Sequence, residues 1–447
     1  MPPRVVDVLT DAPQRLWGRW VAVLVVVGLW GCVSAQPPNG DEQSNGSGAD
    51  AAVNDPSGPG PRLAAPDASI RTVQLYAGAS ERQLPVLPLR GGRQLTLEFD
   101  LMESTGRPLS IHFYHADRSW EKDLTPAEYM ASFQDDNLLT YTRSRGTAVD
   151  YTHYTYQFPN DDIRFRISGN YILRVTEQGR RDDVLFERPF YVTESTGAMA
   201  VRVDNVPVSG QRSPSDMPSA QFTPPPDLRG NPFQYQTCFV RNGRLDTARC
   251  TDQPRLVQQP TLGFELYRNR AFRPTTADYF LDLSALRTGG AIENTDRTTT
   301  PVRVRLEPDY AQFPGRMALG DPLDGQVVVD GAVRSVGEPD VEADYARVQF
   351  SFVPPNELPL RGALQLGGTF AGATRMRWRP ERGRYEGDTL LKQGLYEYYY
   401  QSDDPALQEV LRRSLPPARD RYTAFVYYTD RTLNTDRLLA VQTAQAP

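Results

Sequence analysis

From Leu95 to Leu101 apolar and polar residues alternate one by one. Leu95, Leu97, Phe99 and Leu101 stand between Thr96, Glu98 and Asp100. The same period of two returns at Val302, Val304 and Leu306, with Arg303 and Arg305 between, and at Val348, Phe350 and Phe352, with Gln349 and Ser351 between. A two-residue period puts every second side chain on one face, which describes an antiparallel strand with one face on a core and the other in water. The stretches 163–175, 395–400 and 422–428 add aromatic and β-branched residues of the kind that fit a pleated surface. Clusters of Gly, Pro, Asn and Asp separate these runs throughout. Short strands at regular spacing with turn residues between them predict an all-β chain of sandwiches or barrels.

Helical signals are few. Thr125-Pro126-Ala127-Glu128 is a capping box with proline at the first helical position, and it predicts a short helix through Phe133. Asp404-Pro405 opens a second, with Leu407, Val410 and Leu411 on one face and Pro416-Pro417 as its stop. Neither can organise a domain.

The N-terminus reads as an export signal. Arg4, Arg15 and Arg19 precede the apolar run Val-Ala-Val-Leu-Val-Val-Val-Gly-Leu between Trp20 and Trp30. The run is too short for a membrane span, which needs about 20 residues, and suits a signal-peptide core of about 7–15. Two processing points follow. Leu29-Trp30-Gly31-Cys32 resembles a lipobox, with Cys32 as the lipidated first residue, and Val33-Ser34-Ala35 resembles an ordinary cleavage site. Both send the mature chain out of the cytoplasm. Residues 32–68 are rich in Gly, Ser, Pro, Asp and Ala and read as a disordered linker.

Beyond Cys32 the chain has two cysteines, Cys238 and Cys250. They flank Asn242-Gly243, a strong hairpin turn signal between strand-like residues. A hairpin brings such positions together in an oxidising compartment, so a Cys238–Cys250 disulfide is expected. A chain of 447 residues needs several domains. Composition divides this one into a signal peptide at 1–31, the linker at 32–68, a first β-sandwich at 69–196, a second β domain at 197–343 and a third, early-set-like sandwich at 344–447. The expected architecture is therefore about three consecutive antiparallel sandwiches, immunoglobulin-like or early-set-like.

The net charge of −6 disfavours a nucleic-acid partner, which a basic field would attract. No phosphate loop, nucleophile elbow or metalloprotease helix occurs. The histidines are His112, His115 and His153. The first two are three apart on a strand-like run and point to opposite faces, which does not suit joint ligation. No metal, cofactor or catalytic residue is assigned. Two of the 49 basic residues are lysines, Lys122 and Lys392, and they receive no role from the sequence. Trp378, Tyr385 and the tyrosines after Gly394 allow an aromatic sugar-binding platform or ordinary packing, so an exported carbohydrate-binding protein is the alternative function.

A set of short motifs recurs in order: His115-Ala116-Asp117-Arg118-Ser119-Trp120, Tyr151-Thr152-His153-Tyr154, Ser168-Gly169-Asn170-Tyr171-Ile172-Leu173, Arg241-Asn242-Gly243-Arg244-Leu245-Asp246, Leu391-Lys392-Gln393-Gly394-Leu395-Tyr396 and Ala424-Phe425-Val426-Tyr427-Tyr428. In order and spacing, from about Ile70 to Ala440, the chain resembles the type IX secretion system plug protein family. It departs from that pattern at Ala116, where a cysteine is usual, and at Leu245, where an aromatic is usual. The resemblance implies a non-enzymatic plug that closes the periplasmic mouth of a giant outer-membrane β-barrel translocon. It places the chain at the periplasmic face of the outer membrane, with a possible lipid anchor at Cys32. The partner-binding residues are unknown at this level. Loop tips with aromatics and arginines are the candidates, in 133–145 and in the proline-rich stretch 214–226.

Overall fold

The computed structural model describes residues 60–209, 213–311, 322–370, 372–413 and 415–447. Within them the chain is all-β, with six sheets that face each other in pairs. The signal peptide, Cys32 and most of the linker lie outside the described residues. Among those described, no helix is long and apolar enough to cross a membrane.

In the first sandwich one sheet runs Ile70–Ala77, Leu95–Leu101, Thr152–Phe158, Tyr141–Arg143 in spatial order. The other runs Val86–Pro88, Arg180–Thr193, Gly169–Glu177, Leu109–Ala116, Asp135–Leu138. Their inner faces meet in a core that includes Leu97, Phe99, Phe113, Phe158, Leu173 and Phe190. Aromatic rings cluster within it: the Phe99 and Tyr154 rings stack at 4.9 Å, and Phe113 meets Phe158 at the same spacing.

The other two sandwiches are not consecutive. Strands Ala198–Val206, Ser215–Thr223, Thr261–Glu265 and Arg255–Gln258 form one sheet of the second. Its facing sheet is Arg244–Thr251, Tyr235–Arg241, Arg421–Asp430, Thr435–Gln445. Tyr235 stands opposite Tyr428 and Arg241 opposite Tyr422, so the last two strands of the chain complete the second sandwich. Phe222, Phe239, Phe264, Tyr422 and Val426 fill the core between these sheets. The third sandwich sits within this frame as an insertion. Its sheets contain Tyr279–Asp282, Leu395–Gln401 and Gln365–Gly368 on one side, and Ile292–Asp296, Val302–Leu306, Tyr345–Val353 and Arg384–Lys392 on the other. The division at 343/344 into two consecutive units therefore does not describe this pairing. Pairing of strands far apart in sequence leaves no mark in local composition.

Three local expectations change as well. The strand Leu95–Leu101 is buried on both faces: Glu98 is 6% exposed and Asp100 1%. Its polar face meets another sandwich instead of water. The helix after Thr125 covers Pro126–Tyr129 and stops short of Phe133. Met130 is already extended and pairs with Phe165, while the Ala131 N–H donates to the Arg164 carbonyl, so strand-like pairing displaces the helix. Most of 214–226 is a strand, Ser215–Thr223, between two others. Pro218 stands just before the residues, 219–222, that pair with Thr261–Glu265, so its missing N–H is not needed by that ladder.

The end of the linker is also bound. Ala64 accepts from the Glu187 N–H, the Asp67 N–H donates to the Leu185 carbonyl, and Leu63 packs on an apolar cluster. Residues 60–68 thus lie along strand Arg180–Thr193. Cys238 and Cys250 stand opposite each other in the hairpin and are joined by a disulfide.

Candidate functional site

The motif residues gather at the joints between the sandwiches. Consider first the joint between the first and second. Sheet Leu109–Ala116/Gly169–Glu177/Arg180–Thr193 has its inner face in the first core, and its outer face carries Ala116, Ile172 and Tyr191. These pack on Cys238, Val240, Phe425, Tyr427 and Leu438 from the outer face of the second sandwich. The Tyr191 and Phe425 rings stack at 4.3 Å. Polar contacts frame this apolar layer. His115 Nδ1 pairs with Asp123 Oδ1 at 2.7 Å, and its Nε2 lies 3.2 Å from the Ser168 carbonyl. Asn170 donates to the Asp117 carbonyl and accepts from the Tyr427 hydroxyl. Arg118 binds Asp436 at 2.7 Å, and Thr435 donates to Asp123. Gly169 has φ +149°, and a Cβ there would stand 2.3 Å from His115 Nε2. Only glycine allows the strand to approach that ring.

The joint between the second and third sandwiches uses the hairpin turn. Within the second sandwich Asn242 holds this turn: its Nδ2 donates to Asp420 Oδ1, and the Arg421 N–H donates to its Oδ1. Gly243, at φ +66°, packs so close that a Cβ would meet the Asp324 carbonyl at 2.5 Å. Beside this joint lies a cleft of about 1000 Å³ lined by Arg241, Arg244, Asp278, Glu397 and Tyr399 among others. Burial pushes Asp278 up to about 6 and Glu397 up to about 7. The Arg244 guanidinium lies over the Tyr399 ring. Among the described residues neither histidine nor cysteine lines the cleft.

Between the first and third sandwiches the joint is polar and buried. Asp100 and His153 are cross-strand partners, and Asp100 Oδ1 meets His153 Nδ1 at 2.7 Å. Asp100 Oδ2 accepts from Lys392 Nζ at 2.8 Å and from the Tyr345 hydroxyl at 2.7 Å. Burial opposes ionisation of Asp100, but the Lys392 charge and the bonds from His153 and Lys392 hold it below the usual carboxylate range. Lys392 also donates to the Asp340 carbonyl and lies over the Tyr151 ring. Glu98 accepts from the Tyr76 hydroxyl, and burial beside the Asp340 carboxylate pushes Glu98 up to about 7. A second bond set lies alongside. Glu81 accepts the N–H groups of Val329, Asp330 and Gly331 and the side-chain amide of Gln74.

The remaining sequence candidates fall elsewhere. His112 is buried beside Thr176, 3.2 Å from its hydroxyl, and burial lowers its pKa. Trp378 is half-buried on the third core against Tyr385, at 5.1 Å. The stretch 133–145 carries three exposed apolar side chains. Phe133 is 66% exposed, Leu139 64% and Tyr141 39%. The same stretch supplies Asp135–Leu138 and Tyr141–Arg143, edge strands of both sheets of the first sandwich. Arg145 belongs to the joint instead, since its side chain pairs with Glu338 and its N–H donates to the Val341 carbonyl.

Residues 70–194 match the family described as type 9 secretion system plug protein, 1st domain. The match spans the first sandwich. A crystal structure of a hypothetical protein from Parabacteroides merdae ATCC 43184 shares the fold, with a TM-score of 0.75 at 24% identity, covering 86% of this chain and 99% of that one. An alpha-2-macroglobulin mutant from Salmonella aligns at a TM-score of 0.17 and 10% identity, over 86% of this chain and 23% of that one, and carries no argument. No protein of curated function matches the chain. The plug-domain match links the chain to the type IX secretion apparatus of the cell envelope. His115, Gly169 and His153 of the family-matched domain serve the joints described above.

Proposed function

We propose that this protein is the plug of a type IX secretion system, closing the periplasmic mouth of the outer-membrane translocon barrel when no cargo occupies it. The observation that carries this reading is the plug-domain match over residues 70–194. The joints support it. A stopper for a wide aqueous pore must resist deformation, and three sandwiches braced by buried apolar, ionic and glycine-dependent contacts form such a body. The plug must also leave, so a transient interface of moderate size is expected. The edge of the first sandwich at 133–143 fits that need. It offers Phe133, Leu139 and Tyr141 beside two strand edges whose backbone groups can pair with a partner. In this reading the chain works at the periplasmic face of the outer membrane, either held by lipid on Cys32 or free after cleavage behind Ala35.

The test is affinity purification of the tagged protein from gently solubilised native envelope, followed by mass spectrometry. Recovery of a very large β-barrel in near-equal amount is expected. Its absence while other envelope components are retained would overturn the assignment.

A further inference from the structure

The joint between the first and third sandwiches holds a group of side chains that its salt bridge does not use. Glu98 and His153 project from neighbouring strands of the first sandwich, and Asp340 comes from the helical turn Pro339–Glu342 that leads into the third. One ligand atom from each lies within 4.8 Å of those of the other two. These residues are far apart in sequence, and only the docking of the two sandwiches assembles them.

We propose that Glu98, His153 and Asp340 form a binding site for a divalent transition-metal cation of the zinc class, which clasps the first sandwich to the third.

The histidine carries the argument. Its Nδ1 is engaged by Asp100 Oδ1 at 2.7 Å. Asp100 also receives Lys392 and Tyr345, which makes it a fixed, charged acceptor. That contact engages Nδ1 as the donor, so in the neutral tautomer that a metal requires the lone pair stands on Nε2. Nε2 is buried and has no hydrogen-bond partner among the described residues, in a side chain 7% exposed. A buried lone pair beside two carboxyl groups is a costly arrangement unless a cation or a proton stands between them. A carboxylate on one ring nitrogen and a metal on the other is the common outer-shell arrangement at zinc sites.

Charge and donor type agree. Lys392 is already paired with Asp100, which leaves Glu98 and Asp340 for another cation. A dication balances two carboxylates. One imidazole and two carboxylates suit zinc and its neighbours, with a fourth position left for water. Around such an ion at about 2.0–2.1 Å, tetrahedral donors stand about 3.3 Å apart, so the three groups need to close by small side-chain rotations. Tyr76, whose hydroxyl donates to Glu98 Oε2 at 3.1 Å, then acts as an outer-shell partner. Competing zinc ligands are scarce, because the chain has three histidines and Cys238 and Cys250 are joined to each other. The site does not depend on the plug reading.

The test uses the full exported chain, purified with a tag free of histidine. After dialysis against metal-free buffer, about one zinc per chain is expected by elemental mass spectrometry. In chelator-treated protein, zinc should bind with a stoichiometry of one, and Co²⁺ should give the visible absorption of a low-symmetry site. Zinc should also raise the melting temperature. Glu98→Gln and Asp340→Asn should each weaken zinc binding at least about 100-fold, while far-UV circular dichroism keeps its β signature. Folded wild-type protein that neither retains nor binds zinc at micromolar concentration overturns the proposal, whatever the variants do. Stoichiometric zinc kept unchanged by both variants places the ion elsewhere and overturns it equally.

Discussion

Lys392 and Asp100 meet at 2.8 Å with both side chains 1% exposed, so an ion pair from two different sandwiches is removed from water. Lys392 is one of two lysines in the chain, and the compact ammonium reaches Asp100, the Asp340 carbonyl and the Tyr151 ring together. A planar guanidinium would demand more room and more acceptors. Removing one member leaves a buried, uncompensated charge, which costs about 3–5 kcal/mol. Lys392→Met should lower stability by that order in urea unfolding followed by tyrosine and tryptophan fluorescence. A loss below about 1 kcal/mol would show that the pair is not what braces this joint.

Glu81 makes a second brace. Its two oxygens take the backbone N–H groups of Val329, Asp330 and Gly331, with distances from 2.7 to 3.1 Å. Hydrogen bonds to a charged acceptor contribute about 1.5–3 kcal/mol each. In Glu81→Gln an amide donor faces some of those N–H groups. We expect a loss of at least about 2 kcal/mol, and faster amide exchange confined to residues 327–333. Exchange unchanged there would show that the loop is held by its own packing.

A third prediction concerns pH. Asp309 accepts the hydroxyls of Tyr398 and Tyr400 at 2.9 and 2.8 Å, yet burial pushes it up to about 7. Its folded value lies above its unfolded one, so the native state holds a proton that the unfolded chain has lost. The stabilisation is full below about pH 3.8 and falls as pH rises through about 7. The change should amount to a few kcal/mol. Asp309→Asn cannot titrate, so the stability difference between wild type and variant should slope with pH across this window. A difference that stays flat from pH 4 to pH 8 would refute the assignment.

The hairpin disulfide yields a fourth expectation. Cys238 and Cys250 close a loop with a sequence separation of 12. In the chain-entropy account such a loop contributes about 3 kcal/mol. Cys238→Ser with Cys250→Ser should lose stability of that order, and the wild-type protein should show neither thiol to a thiol reagent after denaturation without reductant. Two reactive thiols would contradict it.

How much of this was legible follows from where information sits in a chain. The strand at Val302–Leu306 alternates in burial as its letters do. The strand at Leu95–Leu101 alternates just as clearly in sequence, yet Glu98 and Asp100 are buried, because a second sandwich covers that face. A period of two reports which residues share a face, and says nothing of what lies against it. The nested order of the second and third sandwiches was illegible for a related reason: Tyr235–Arg241 pairs with Arg421–Asp430 across the whole third sandwich. The buried joint left one faint signal, the acids at alternate positions of a strand with a histidine in its cross-strand partner. The resemblance motifs pointed to the family, but their physical work emerged only with the structure, where His115, Gly169, Gly243 and Lys392 all stand at joints.

The partner surface gives the last prediction. Phe133, Leu139 and Tyr141 lie in one stretch that runs along an open edge of the first sandwich. Phe133 and Leu139 expose most of their area, so serine there removes little core packing. Tyr141 touches the Tyr154 ring at 5.1 Å and should carry a modest stability cost. If this edge seats on the barrel, Phe133→Ser with Leu139→Ser should cut barrel recovery at least about tenfold, since a few buried anchors carry most of the binding energy of an interface. The melting temperature should shift by no more than a few degrees. Salt should affect the interaction little, because the anchors are apolar. Full barrel recovery by the double variant would move the interface to another part of the surface and leave the edge strands without a partner role.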